Sequence, residues 1–349
     1  MVRRTALIVS LALLVSCTTA TDLTTTNDFG IPAPVDATIG GDTSDLFTPI
    51  EGLIVYRSES EPSELMALDP LNPEVKRSLG SADNLLPLGW SADGTRLLLE
   101  DRGPPSAQLS VERSVGSDLY VMTADGSVQQ VTSGGTSFGG SLSPDGTALV
   151  YIDVSETEDD HHHSVFVSDP VGGPPRVLAA SGAGTWLEHA AWSPDGSQIA
   201  FVGHNEMGQT WSIEVVNVDG TGRHVITDPD PLRVYGLAWS PDGSQLAFSG
   251  LDQSQGRSIQ GVFVIAADGS EPRKLTEPRF LPNIDRGVRT VHDCCSVVWS
   301  PDGSRIAFLR GSGTGRASLL TVAADGSDEQ VIQGFYVRDY GTIAWHPGG

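Results

Sequence analysis

The chain has 349 residues with 21 basic and 44 acidic side chains, which gives a formal net charge of −23. This charge excludes a general nucleic-acid-binding protein, because such a protein needs a basic face to neutralise phosphates. It also opposes electrostatic docking onto anionic lipid. With 39% hydrophobic residues the chain can build a sizeable core, and its length suits either several small domains or one large all-β domain.

The first sixteen residues have the features of an export signal. Arg3 and Arg4 form a short positive region, and twelve mostly apolar residues, 5–16, follow them. A helix needs about 20 residues to cross a bilayer, so this shorter stretch predicts a signal peptide. Residues 14–17, Leu-Val-Ser-Cys, resemble the bacterial lipobox, and the resemblance implies that Cys17 is lipidated and becomes the new N-terminus. The alternative is an ordinary secretory signal with a cysteine near its cleavage point.

The next segment predicts a tether. Residues 17–47 comprise Cys17 and a stretch rich in Thr, Asp, Gly and Pro that shows no apolar period, a composition typical of disorder. A flexible chain of this length has an r.m.s. reach of about 30 Å. The sequence therefore predicts a signal peptide over 1–16, a lipidated tether over 17–47 and a folded body over 48–349.

An internal repeat organises the folded body. Near-copies of Trp-Ser-Pro-Asp-Gly recur, and the position held by the serine falls at Ser91, Ser143, Ser193, Ser240, Ser300 and, in altered form, His346. From Ser91 to His346 the five intervals between these positions span 255 residues, a mean of 51 residues for each repeat. This length suits a four-stranded propeller blade. Ser-Pro-Asp-Gly predicts a type I turn between the first and second strands, and a later Asp-Gly predicts the hairpin before the fourth strand.

These repeats resemble those of TolB-type six-bladed propellers over residues 50–349. The resemblance implies an all-β fold, a six-bladed β-propeller of four-stranded antiparallel blades. Residues 53–79 supply three strands of a blade that lacks its first strand, and residues 341–345 supply a first strand with nothing after it. We therefore expect the C-terminal strand to close the ring, which removes exposed sheet edges.

Two sets of repeat residues are predicted to be structural. The repeat tryptophans recur at one position in each blade, so we expect them to pack between neighbouring sheets. The repeat aspartates lie in turns, where Asp accepts local hydrogen bonds, and they lie too far apart to share an ion. The two sets are Trp90, Trp192, Trp239, Trp299 and Trp345, and Asp93, Asp145, Asp195, Asp242 and Asp302.

The segments that enter the first strands carry the candidate binding residues. In a propeller these segments converge on one mouth of the central channel, and aromatic and Arg side chains are typical of interface hot spots. The alternative is that they are ordinary polar rim residues that pair with one another. The predicted channel-mouth residues are Trp186, Glu188, His189, Arg233, Tyr235, Arg289, His292, Asp293, Tyr336, Arg338, Asp339 and Tyr340.

Two further motifs carry weaker signals. His161, His162 and His163 follow several acidic residues, and we expect a solvated loop tip between two strands of the third blade rather than a metal site. Cys294 and Cys295 are adjacent, so a bridge between them would be strained. A vicinal disulfide, two buried thiols and a link to another chain all remain open. No metal or cofactor is predicted.

The resemblance implies interaction rather than catalysis, because TolB is a periplasmic partner of a peptidoglycan-associated lipoprotein. We therefore expect a lipid-anchored extracytoplasmic binding module that presents one propeller face to an envelope protein or polymer. Its contact with the bacterial membrane would be through the lipid on Cys17 only, and nucleic acid is not an expected partner. The alternatives are a propeller enzyme such as a polysaccharide lyase, or a small-ligand sensor.

The lipobox reading makes a prediction about processing. Cys17→Ser removes the only sulfur at the cleavage point, so we expect an unprocessed precursor that a fatty-acid probe does not label. Immunoblotting and metabolic labelling in the producing cell measure both properties. A wild-type chain that carries no label, or a variant processed like the wild type, would contradict the anchor.

Overall fold

Each sequence repeat folds as one antiparallel sheet, and the sheets are stacked around a common axis. The computed structural model describes residues 46–47, 50–58, 63–82, 84–101, 117–156, 161–205, 210–227, 232–252, 259–270, 272–276, 279–280, 296–311, 316–336 and 341–348. Six four-stranded sheets form from these residues, and one of them carries a short additional strand.

The blades are numbered along the chain. Blade 1 contains β1 (Ile54–Arg57), β2 (Glu64–Leu68) and β3 (Lys76–Ser81). Blade 2 contains β4 (Leu85–Trp90), β5 (Arg96–Asp101), β6 (Asp118–Thr123) and β7 (Val128–Gln130). Blade 3 contains β8 (Ser137–Leu142), β9 (Leu149–Glu156), β10 (His161–Ser168) and β11 (Pro175–Ala180).

The second half of the chain repeats this pattern. Blade 4 contains β12 (Thr185–Trp192), β13 (Gln198–Asn205), β14 (Trp211–Asn217) and β15 (His224–Val225). Blade 5 contains β16 (Leu232–Trp239), β17 (Gln245–Asp252), β18 (Ile259–Ala266) and β19 (Arg273–Lys274), with β20 (Arg279–Phe280) also paired to β18. Blade 6 contains β21 (Val297–Trp299), β22 (Arg305–Gly311), β23 (Arg316–Ala323) and β24 (Gln330–Tyr336), and β25 (Ile343–Trp345) ends the series.

The ring is closed by the C-terminal strand, as the sequence predicts. β25 pairs with β1 through Trp345 opposite Ile54 and Ala344 opposite Val55, so it becomes the first strand of blade 1. The first strands contact one another in the cyclic order β4, β8, β12, β16, β21, β25 and back to β4. They are therefore the innermost strands, and the prediction of an all-β six-bladed propeller is confirmed.

The core lies between the blades. In β13, Ile199 and Phe201 pack toward blade 3, whereas Ala200 and Val202 pack toward blade 5. Successive side chains of a strand point to opposite faces, so a middle strand between two neighbours is apolar on both. This is why the second strands read as continuous hydrophobic runs.

The repeat tryptophans join neighbouring blades, as predicted. Trp239 Nε1 donates to the Ala191 carbonyl of blade 4 at 3.2 Å, and Trp299 Nε1 donates to the Ala238 carbonyl of blade 5 at 3.2 Å. Both rings pack against the apolar clusters between their own blade and the one before it. Their role in the fold is packing.

The histidine run is not the solvated loop tip that the sequence predicts. β10 begins at His161, and along it His163, Val165 and Val167 are buried while the intervening residues are not. His163 is only 4% exposed, and its Nδ1 lies 3.0 Å from the Leu187 carbonyl of blade 4. Strand alternation therefore carries one histidine of the run into the interface between blades 3 and 4.

The N-terminal side of the propeller begins before the expected boundary at residue 48. Leu46 and Phe47 are buried with Ile50 in the cluster between blades 1 and 2. The Phe47 ring packs edge-on to the Trp90 ring with centroids 4.7 Å apart, and the Leu46 amide donates to the Ala124 carbonyl at 2.7 Å. The part of the chain that the structure describes contains no helix long and apolar enough to cross a membrane.

Ring closure makes a prediction about two glycines. Gly52 and Gly94 both have positive φ, 74° and 68°, so alanine at either site is strained by about 1–2 kcal/mol. A Cβ at Gly52 would meet nothing within 4 Å, but at Gly94 it would lie 2.6 Å from Cε1 of the buried His346 ring. We expect Gly94→Ala to be less stable than Gly52→Ala by about 1–3 kcal/mol, measured by denaturant unfolding. If both variants lose the same free energy of unfolding, the close contact between Gly94 and His346 does not stabilise the closed ring.

Candidate binding site at the start face

The two ends of the channel differ in the strand termini they carry. We call the end where the first and third strands begin and the second strands end the start face. In blade 4 it is marked by Thr185, Asn205 and Trp211. The opposite end, which carries the Ser-Pro-Asp-Gly turns, is the turn face.

A row of aromatic and imidazole rings crosses the start face from blade 3 to blade 5. Strand register places Trp186 opposite His204, and His204 opposite Trp211, on three adjacent strands of blade 4. Trp186 stacks on His163 of blade 3 with centroids 5.1 Å apart, and His204 stacks on Trp211 at 4.1 Å. Tyr235 of blade 5 meets Trp211 edge-on at 5.5 Å. The row is a continuous packed surface whose most accessible ring is Trp186.

Glu188 lies in this row with an imidazole on each side. Its Oε1 is 3.3 Å from Nε2 of His204, and its Oε2 is 3.8 Å from Nε2 of His189. Nδ1 of His204 lies 2.9 Å from the Asn205 carbonyl, which can only accept, so Nδ1 carries a proton. The Nε2 of His204 therefore faces the carboxylate, and it is buried without an aligned hydrogen bond among the described atoms.

A bulge in the first strands sets the direction of two candidate residues. The pairing of β12 with β13 shifts register between Glu188 and Ala191, and His189 there adopts φ 53°. β16 shifts at Tyr235 in the same way, and β8 shifts at Gly139, whose φ is 58°. A bulge re-aims the side chain it contains. The sequence signal for the bulge is the glycine pair 139–140. It stands at the same distance before the turn serine as His189 and Ala190 do in the next repeat.

Blades 2 and 3 bring carboxylates to the same face. Asp101 lies directly opposite Asp118 across two strands, and Asp118 is 7% exposed. Burial raises the pKa of Asp118, and the charges of Asp101 and Asp153 raise it further, against hydrogen bonds from Gly135 and Thr132. Three carboxyl groups, those of Asp101, Asp118 and Asp153, therefore lie close enough on this side of the start face to influence one another.

The predicted channel-mouth residues fall into two groups. Trp186, Glu188, His189, Arg233 and Tyr235 lie within the first strands β12 and β16, rather than in the segments that precede them, and Glu188 and Tyr235 are buried. Tyr336 ends β24, and only its backbone is described. The remaining predicted channel-mouth residues lie outside the described residues: Arg289, His292, Asp293, Arg338, Asp339 and Tyr340. Cys17, Cys294 and Cys295 lie outside them as well.

Sequence reasoning missed four contributors to the start face. Asp101, Asp118, His204 and Trp211 lie at ends of second and third strands, where the repeat pattern marks no special position.

Within the described ranges, no group of three or more His, Cys, Asp or Glu side chains is arranged to hold a metal ion.

On the turn face the repeat aspartates are engaged by their own turns, as predicted. Asp145 Oδ1 accepts from the Ser143 hydroxyl at 2.6 Å and from the Thr147 amide at 3.0 Å. The other four repeat aspartates accept the corresponding serine hydroxyl at 2.6 to 2.7 Å. These hydrogen bonds lower the pKa of Asp145 to about 2.

Comparison with known proteins identifies the architecture. No model of a protein family matches the chain, and no curated protein matches its sequence. The structure of TolB from Acinetobacter baumannii aligns at a TM-score of 0.62 with 19% identity, over 89% of this chain and 68% of that one. A putative TolB from Agrobacterium tumefaciens aligns at 0.57 with 18% identity, over 82% and 90%. The chain is a TolB-like six-bladed β-propeller.

The same architecture also occurs in proteins of other kinds. A structure of hydrazine synthase from Kuenenia stuttgartiensis aligns with this TolB-like propeller at a TM-score of 0.53 with 12% identity, over 90% of this chain and 92% of that one. At such identities the likeness establishes the fold, and function must be argued from the site.

The turn aspartates make a prediction about acid stability. Local hydrogen bonds lower the pKa of Asp125 and Asp145 from 3.8 to about 2 in the folded chain. A depressed folded pKa stabilises the fold above the unfolded value, and this contribution is lost as pH falls through the folded value. We expect the free energy of unfolding to fall between pH 3.8 and about 2. The double variant Asp125→Asn, Asp145→Asn should lose less over this interval, and an unchanged acid slope would contradict the prediction.

Proposed function

We propose that the chain is a lipid-anchored extracytoplasmic binding module whose start face holds an envelope protein or polymer. The observation that carries this proposal is the contrast between the two ends of the channel. On the turn face the repeat carboxylates are engaged by local hydrogen bonds. On the start face, Trp186 and Arg233 occupy the innermost strands with part of their surface accessible.

The placement of these side chains fits recognition. Trp186 lies six residues before the repeat tryptophan of blade 4, and Arg233 lies six residues before that of blade 5. Both therefore occupy the same place in adjacent blades, whose first strands are in contact. Trp and Arg side chains on a rigid scaffold are the types that dominate binding energy in interfaces.

The extracytoplasmic location and the lipid anchor rest on the predicted signal peptide and on Cys17. TolB-like architecture agrees with such a location and is not evidence for the anchor. The acidic balance of the chain agrees with attachment by lipid rather than by charge.

Capture of the partner tests the start face directly. We expect the combination Arg233→Ala, His189→Gly to remove the main cross-linked species that the full chain forms in the membranes of the producing cell. Glycine suits the positive φ of His189, so the backbone should not be strained. The melting temperature should change little, because neither side chain belongs to the apolar clusters between blades.

A turn-face variant provides the matched control. Asp242→Asn keeps the size of the side chain and its ability to accept from Ser240, so the cross-linked species should persist. If the turn-face variant loses the species and the start-face variant keeps it, the binding surface is the turn face and the proposal is wrong.

A further inference from the structure

We infer that Arg233 binds the carboxylate of a peptide ligand, one that carries a single carboxylate beside neutral or basic groups. This inference rests on the proposed function and assigns a ligand class to the same face. It starts from the state of one guanidinium group.

Arg233 differs from the arginines that stabilise the fold. Three of those donate to backbone carbonyls of the neighbouring blade: Arg96, Arg176 and Arg273. Three pair with carboxylates of their own blade: Arg223, Arg305 and Arg310. Among the residues that the structure describes, none accepts a hydrogen bond from Arg233, and its buried Nε has no partner.

Among the described residues, the buried Nε of Arg233 lacks the acceptor that a buried donor requires. A buried donor that loses its hydrogen bond to water is destabilising unless another acceptor replaces it. Arg233 is half-buried near the beginning of β16, an innermost strand, so an acceptor can reach it from the channel mouth. The part of the side chain that is exposed faces the same mouth, and a planar guanidinium binds a carboxylate there through parallel hydrogen bonds.

The surroundings restrict what can bring that carboxylate. Asp101 and Asp118 lie on blade 2, which is three blades from Arg233 and so on the opposite side of the six-membered ring. Glu188 lies on blade 4, next to blade 5, and the whole chain carries a net charge of −23. A polyanion, whether polysaccharide or nucleic acid, would bring many charges against these carboxylates and be repelled.

A peptide with one carboxylate avoids this repulsion and uses both sides of the mouth. Its carboxylate faces Arg233, and a basic side chain faces the acidic side formed by blades 2 and 3. An apolar side chain of the same peptide can pack on the accessible part of Trp186, which holds the same place in blade 4 as Arg233 in blade 5. The charge distribution therefore favours a dipolar peptide over an acidic polymer.

Paired peptide probes test the assignment. The probe is lysyl-seryl-alanyl-phenylalanine with a free C-terminal carboxylate, and its partner is the same peptide with a C-terminal amide. Calorimetric titration of the full chain should show the free acid binding at least about tenfold more tightly than the amide, since a charge-assisted hydrogen bond supplies that difference. In Arg233→Gln the two peptides should bind alike, and Arg233→Lys, which keeps the charge without the fork, should give a smaller ratio.

Arg77→Gln is the matched control, because Arg77 is an exposed arginine on the outer strand β3 of blade 1. It should keep the ratio of the wild type, and the melting temperature of Arg233→Gln should match that of Arg77→Gln. Equal binding of acid and amide by the wild type, no binding of either, or poly-L-glutamate competing for Arg233 would overturn the inference. If the wild type binds the acid and the amide alike, but the Arg233→Ala, His189→Gly variant still loses the cross-linked envelope partner, the ligand class is wrong and the proposed function stands.

Discussion

The structure depends on the contact that each Ser-Pro-Asp-Gly turn makes with the turn before it. The glycine of one turn lies close to the proline of the preceding turn: a Cβ on Gly196 would lie 3.9 Å from Pro144 Cδ, and one on Gly243 would lie 3.3 Å from Pro194 Cγ. Such a contact is possible because the serine hydroxyl and the aspartate carboxylate hold the turn from within, leaving its outer surface free to pack. Repeated around the axis, it sets the spacing of the blades and so the distances at the far end of the channel.

The last turn shows how this constraint is met with different chemistry. His346 replaces the serine, and its Nδ1 accepts from the Gly348 amide at 3.2 Å. The other nitrogen is then the donor, and it lies 3.2 Å from the Gly94 carbonyl of blade 2. One neutral imidazole thereby orders its own turn and bonds to the next blade. The closing contact of the ring is a directed hydrogen bond as well as a packing contact.

Sequence reasoning predicted what is repeated and missed what is particular to one blade. The turn, the tryptophan and the orphan strand that closes the ring recur or complete a pattern, so one sequence reveals them. His163 and Trp211 lie opposite Val154 and His204 near the start of a third strand, where each blade differs. Each also packs on a ring of a neighbouring blade, His163 on Trp186 and Trp211 on Tyr235. Their stacking depends on the register between strands and the spacing between blades, which no local pattern encodes. Arg233 was predicted as a binding residue, but its unsatisfied Nε emerges only from the burial around it.

The packing of Leu46 and Phe47 has a mechanical consequence. The chain enters the propeller between blades 1 and 2, at the junction where β25 closes the ring. A pulling force on the N-terminal segment would act first on the Leu46 hydrogen bond to Ala124 and on the Phe47 ring beside Trp90. These contacts would bear the load before it reached β1 and its hydrogen bonds to β25. The packing of this segment therefore protects the pairing of β25 with β1, the closure of the ring that is held by hydrogen bonds rather than by a chain connection.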